Sequence, residues 1–170
     1  ATKFINEHNL PLRFCYLENT FINPASYEGR LSETTQSGAE LIGDGSIDAD
    51  AMMIALALKC LKNAGLRDFK LEIGNVNFYR SLIKESGLNK SSEEKIINLI
   101  EEKNFFGVEE FISDIPGMKN GDIFLKLPSL FGDIKRIKGA LEYNLNKEAQ
   151  DTIKSLIRLH EILETYGLDE

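Results

Sequence analysis

The sequence predicts an α+β fold in which an antiparallel pair of strands with flanking helices is followed by an all-α part. Three observations lead there. Residues 12–21 and 33–42 are β-rich runs around a loop-like stretch. Residues 51–64 are dense in strong helix formers. Beyond Gly87 every apolar pattern has helical spacing. The division falls between an α/β part, residues 1–86, and a helical part, residues 87–166. There is no internal repeat and no low-complexity segment.

Ala1 to His8 reads as the end of a helix, broken at Asn9-Leu10-Pro11 because Pro disfavours helical geometry at the residue before it. Leu12 to Phe21, with Phe14, Cys15, Tyr16 and Leu17, reads as a mostly buried strand. Ile22 to Ser32 has loop composition, with Asn23-Pro24, Ser26 and Gly29. Glu33 to Ile42 is the second strand, and Asp44-Gly45 a turn. Asp48 or Ser46 can cap the next helix, in which Ile54, Leu58 and Leu61 recur at helical spacing before a stop at Gly65. Phe69, Leu71 and Ile73 alternate with Lys70 and Glu72, which predicts a half-buried strand. Val76 to Glu85 is a short helix ended by Gly87.

In the second part Ser91 or Ser92 opens a helix containing Ile96, Ile97, Leu99 and Ile100. Phe105 to Ile115 follows, with Phe106, Val108, Phe111 and Ile112. Pro116-Gly117 and Asn120-Gly121 are turns. Three further helices are predicted, at Ile123 to Phe131, Ile134 to Leu141 and Lys147 to Tyr166.

At 170 residues, 42% hydrophobic and 28% charged, the chain can bury one core, or one core and a small satellite. A net charge of -7 repels phosphate backbones and argues against a broad nucleic-acid surface. No apolar run has the length of a membrane span, and no signal peptide is visible, so the cytoplasm is the expected location. The chain starts without Met, inside what reads as a helix, and is expected to be a piece of a longer protein. Cys15 and Cys60 are expected to be small buried hydrophobes in a reducing compartment. His8 and His160 have no partner cluster, so no metal site is expected. Lys135, Arg136 and Lys138 read as a solvated helix face, with an anionic contact as the second reading. Glu101-Glu102 and Glu109-Glu110 read as exposed charge. Gly38 and Gly43 suit close backbone approach or a turn better than a phosphate cradle, since no Gly-rich loop precedes a helix.

The candidate site is Gln36 with Glu40. An even separation puts both side chains on one face of the strand. A carboxylate beside an amide can receive an ammonium group, which suits the amino end of a free amino acid. The competing reading is the ordinary polar side of an antiparallel sheet.

Wider context bears on that choice. Arg13-Phe14-Cys15-Tyr16, then Phe21, Gly29-Arg30 and Thr35-Gln36-Ser37-Gly38-Ala39-Glu40-Leu41-Ile42-Gly43 resemble the second signature motif of class II aminoacyl-tRNA synthetases, in its histidyl form. Asp48-Ala49-Asp50-Ala51 with Ile54-Ala55-Leu56 resembles the helix after that motif, with Met52 where the family usually has Glu. Leu71-Glu72-Ile73-Gly74 and Phe78-Tyr79-Arg80-Ser81-Leu82 continue the match. The resemblance implies a partial class II synthetase-like antiparallel sheet, and a variable helical insertion at 87–166.

Two families share this motif: the synthetase, and the regulatory subunit of the short-form ATP phosphoribosyltransferase, which works in the first step of histidine biosynthesis. In the synthetase an Arg follows the residue equivalent to Phe21, with a Glu two residues later; here Ile22 and Pro24 stand there. Ile offers no cation to clamp a phosphate, so amino-acid activation is not expected. The segment from Asn77 to Leu82 also resembles the regulatory subunit more closely. Gln36 and Glu40 match positions that hold histidine's amino group in the family. The resemblance therefore implies a non-catalytic subunit that pairs with a short-form catalytic ATP phosphoribosyltransferase subunit, dimerises, and uses histidine as a feedback effector, without a cofactor. A fragment of an active synthetase is the alternative, and a helical docking module the third reading. The resemblance places the first class II motif before Ala1 and the third beyond Glu170, so strand edges are expected to be open for pairing with another copy.

Overall fold

The computed structural model describes residues 9–23 and 31–168. The expectations for Ala1 to His8, and for Pro24, Ser26, Gly29 and Arg30, lie outside them. Two compact units group as Ala1–Arg67 and Asp68–Glu170.

In the first unit β1 (Leu12–Phe21) and β2 (Glu33–Ile42) form a two-stranded antiparallel sheet. The register pairs Leu12 with Ile42, Tyr16 with Gly38, Glu18 with Gln36 and Phe21 with Glu33. One more backbone bond, Ile22 N–H to the Ser32 carbonyl at 2.9 Å, continues the ladder. At the loop end Asn19 donates to Glu33 (2.8 Å) and accepts from Thr35 (2.9 Å), while the Thr20 and Thr34 hydroxyls meet at 2.8 Å on the opposite face. Such cross-strand pairs hold register where the turn itself is long.

The expectation that β1 is mostly buried is not met. Leu17 and Phe21 are 69% and 73% exposed, and Cys15 is exposed. Two strands alone bury little, because each face needs a packed layer to cover it. Among the described residues each strand keeps one edge unpaired, as expected.

Helix α1 (Ile47–Asn63) follows. Of the two candidate caps Ser46 takes the role, its Oγ accepting from the Ala49 N–H at 3.1 Å. Asp44 in turn accepts from the Ser46 N–H at 3.0 Å, and its carboxyl is held below its ordinary range by hydrogen bonds from Ser46, side chain first. Ala51 and Leu58 are buried and Ile54 half-buried, but Leu61 and Cys60 are exposed. The inward stripe is thus shorter than the apolar periodicity. Gly65 ends the helix at φ +93, with Gly65 N–H bonded to the Lys62 carbonyl and Leu66 N–H to the Leu61 carbonyl, both at 3.1 Å. This pair of bonds satisfies carbonyls the last turn would leave open, and it requires the left-handed backbone that Gly adopts without strain.

The second unit is helical: α2 (Asn77–Glu85), α3 (Lys90–Glu101), α4 (Phe105–Ser113), α5 (Gly121–Leu130), α6 (Ile134–Gly139), a 3-10 turn (Ala140–Glu142) and α7 (Lys147–Thr165). Helix α2 packs with this group through α7, whereas the sequence pattern joined it to residues 1–86. The predicted strand at 69–73 is absent: no residue there has strand conformation, and Leu71 and Ile73 are exposed. Alternation is necessary for a half-buried strand but not sufficient, since a ladder needs a neighbour to accept and donate. In the described part of this unit every other element is helical.

Asparagine side chains cap three of the described helices. Asn89, not Ser91 or Ser92, caps α3 by accepting from the Ser92 N–H at 3.0 Å. Asn104 caps α4 through the Gly107 N–H (3.0 Å), and Asn146 caps α7 through the Ala149 N–H (2.8 Å). A short side-chain acceptor meets the orphan donors of a first turn. The serines lie inside the first turn of α3 instead.

The core joins Phe78, Leu82 and Ile83 of α2 to Ile96 and Ile100 of α3, Val108 and Phe111 of α4, and Ile123, Phe124 and Leu127 of α5. Phe106, also apolar, points outward at 70% exposure. Glu101 is more than solvated charge. It accepts from the Tyr79 hydroxyl at 3.0 Å and pairs with Arg80 at 3.4 Å, tying α3 to α2. Burial and then this carboxylate push the Tyr79 phenol up.

Candidate functional site

The site is built on one face of the hairpin. Side chains alternate along a strand, so Gln36, Gly38 and Glu40 of β2 share a face with Phe14, Tyr16 and Glu18 of β1. Glu18 lies opposite Gln36, and Phe14 opposite Glu40.

Gly38 between them decides the local geometry. Its missing side chain lets the Tyr16 ring lie across β2, and a Cβ at residue 38 would overlap the ring's Cζ and Oη atoms. The ring ends at Gln36, whose Nε2 donates to Tyr16 Oη at 3.1 Å. An aromatic side chain covering a cross-strand glycine is a known way to protect backbone that Gly leaves bare. Gly38 thus serves close approach. Gly43, at φ +92 with Leu10 packed against it, serves the turn out of β2.

Gln36 and Glu40 are both exposed and on the same face. Four residues of extended chain separate their Cα atoms by about 13 Å. The sequence reading placed the two side chains around a single ammonium group. At this span, with the Tyr16 ring between, the two side chains stand apart on the face.

The electrostatics are one-sided. The face carries Glu18 and Glu40 and no Lys or Arg; Arg13, the one basic residue of the two strands, points to the other face. The Glu40 side chain makes no hydrogen bond or ion pair among the described residues. The face therefore offers acceptors to cationic or N–H-bearing groups and no cation to a phosphate. Ile22, at the position where a phosphate clamp would need an Arg, is 51% exposed, and its backbone N–H bonds to the Ser32 carbonyl.

Tyr16 is the site residue that the sequence reading missed. The signal was available: the hairpin register sets Tyr16 opposite Gly38, and an aromatic opposite a glycine predicts a ring laid across the partner strand.

The remaining candidates stay apart from this face. His160 Nε2 lies 3.3 Å from Glu164 one turn along α7; His8 is outside the described residues. Lys135, Arg136 and Lys138 are exposed on the six-residue α6, where Arg136 donates to the Phe131 carbonyl at 3.1 Å. Among the described residues no group of His, Cys, Asp and Glu has metal-binding geometry. No described helix is long and apolar enough to cross a membrane.

Comparison with known proteins agrees with the motif. The family model for histidyl-tRNA synthetase matches residues 1–169. An ATP phosphoribosyltransferase regulatory subunit of Clostridium acetobutylicum is 39% identical over 173 residues, covering 100% of this chain and 42% of the relative. One from Clostridium kluyveri is 36% identical over 163 residues, covering 94% of this chain and 42% of the relative. The crystal structure of an ATP phosphoribosyltransferase regulatory subunit/histidyl-tRNA synthetase from Bacillus halodurans superposes with a TM-score of 0.86 at 28% identity, over 99% of this chain and 44% of that one. The chain thus spans about two fifths of the length of the curated relatives it matches, and the likeness confirms the class II synthetase-like fold, with a two-stranded antiparallel sheet and helices. This chain belongs to the histidyl-tRNA synthetase family.

Proposed function

We propose that this chain is part of a regulatory subunit of ATP phosphoribosyltransferase, acting in the first step of histidine biosynthesis without catalysing a reaction itself. The observation that carries the reading is the asymmetry of the hairpin face. It keeps Gln36 and Glu40 as acceptors, whereas Ile22 stands where amino-acid activation needs a cation. The identity to proteins described as such regulatory subunits supports the same choice over an active synthetase.

Histidine is the effector in this reading. Gln36 meets the amino group, and Glu40 accepts from an imidazole N–H at the far end of the same molecule. The ~13 Å between their Cα atoms leaves room for a ligand with two separated nitrogen groups. The partner is a short-form catalytic subunit in the cytoplasm, and the regulatory subunits pair as dimers. Residues 87–166 form an insertion on a synthetase-like core. Histidine transmits a signal only by binding one state of the assembly better than another.

Calorimetric titration of histidine into the full-length protein tests the site. Gln36→Ala and Glu40→Ala should each weaken binding, and equal affinity in all three proteins removes the site. Histidine-dependent pyrophosphate exchange should be absent; its presence would restore the synthetase reading. Mixing with a short-form catalytic subunit should raise phosphoribosyl transfer and make it histidine-sensitive. A mixture no more active than the catalytic subunit alone refutes the partnership.

A further inference from the structure

We infer that Tyr16 is a positioning residue for the ligand face, holding the Gln36 amide so that its carbonyl is the group offered to the ligand's ammonium. The inference rests on the proposed histidine site and adds to it a residue on the other strand.

An exposed Gln is a poor recognition element when free. Its amide can present either a donor or an acceptor, and a flexible side chain loses rotamer entropy when it is fixed by a ligand. Here one end of the amide is already committed, because Nε2 donates to Tyr16 Oη at 3.1 Å. The uncommitted end is Oε1, an acceptor, which an ammonium needs and a carboxylate would be repelled by. The phenol is itself held. Its ring fills the space that a Cβ at residue 38 would occupy, directly opposite on β2. Three residues therefore act as a unit: Gly38 makes room, Tyr16 occupies it, and Gln36 is held there by its amide nitrogen. Glu40 lies on the far side of the ring from Gln36 and does not depend on this contact.

That independence gives the test. The full-length protein and its Tyr16→Phe, Gln36→Ala and Tyr16→Phe/Gln36→Ala variants are titrated with histidine and with imidazolepropionate, which is histidine without its amino group. Phe keeps the ring over Gly38 and removes only Oη. Loss of one orienting hydrogen bond should weaken histidine binding by about threefold to tenfold in Tyr16→Phe. Binding of imidazolepropionate should be unchanged, because its contacts are at the Glu40 end. In the Gln36→Ala background Tyr16→Phe should add no further loss. If Gln36→Ala weakens histidine binding but Tyr16→Phe does not, the positioning role is wrong and the histidine site stands. If Tyr16→Phe weakens both ligands equally, the phenol acts on the hairpin as a whole, which also overturns the inference. If the unmodified protein binds no histidine, the site reading falls and this inference falls with it.

Discussion

Asn146→Ala tests the packing logic of the helical unit at one side chain. Asn146 has partners in two elements, and it also hydrogen-bonds to Glu85 at the end of α2. Its Oδ1 accepts from the Ala149 N–H at 2.8 Å and starts α7, and its Nδ2 donates to the Ser81 carbonyl of α2 at 3.1 Å. Both ends are half-buried, beside the core residues Leu82, Leu145 and Ala149. Removing a capping acceptor costs about 1 kcal/mol. Removing one partly buried cross-helix hydrogen bond costs about 1 kcal/mol more. The expected loss is therefore about 2 kcal/mol, or roughly 4–8 °C in Tm for a chain of this size. Asn146→Ser keeps a cap acceptor without adding charge beside Glu85 and removes the amide donor, so about half the loss should return. The assay is urea unfolding of the chain followed by circular dichroism, with hydrogen exchange at Ala149 as the local readout. Equal destabilisation by Ala and Ser would refute the partition between the two bonds. An Ala variant within 0.3 kcal/mol of the parent, set against the ~1 kcal/mol expected for the cap alone, would refute the clamp itself.

Phe124 is fully buried at the centre of the core, so Phe124→Ala should cost about 3–5 kcal/mol and unfold the helical unit first, seen as early loss of exchange protection in α5. Gly65→Ala forces a side chain into φ +93 and should cost about 1 kcal/mol in thermal unfolding, while Gly74→Ala, with open space around it, should not carry that strain. Glu85 is held below its ordinary value of 4.5, chiefly by its hydrogen bond from Lys119 at 2.9 Å. Because the folded value is the lower one, this pair contributes at neutral pH and its contribution is lost as pH falls through the folded value. Lys119→Ala should raise the Glu85 pKa toward 4.5 in an NMR titration; an unchanged value would contradict the pairing. The open edges of β1 and β2 should make the 170-residue chain self-associate with concentration in light scattering. A clean monomer across a wide range would count against that.

Much of the fold was legible because local chemistry carries it. The strands at 12–21 and 33–42, and helices near 77–85, 105–113, 121–130 and 147–165, follow from period, punctuation and propensity. The misreadings share a cause. At 69–73 the alternation was right for a strand, but among the described residues no neighbouring strand completes a ladder in that unit. Cys15, Cys60, Leu17 and Leu61 are apolar enough to be buried, yet burial depends on what packs over them. Asn89 displaced the serines as a cap because the cap position is set by where the chain leaves extended geometry, not by residue type alone.

The candidate site divides in the same way. By itself the sequence determined the family, through the order of residues from Arg13 to Gly43. It also determined that Gln36 and Glu40 share a face, since strand side chains alternate strictly, and that Ile22 brings no cation, since residue type alone decides that. Only the tertiary structure decided how the two acceptors stand to one another. The Tyr16 ring laid over Gly38 between them comes from cross-strand packing, which joins residues 22 positions apart that no local pattern connects.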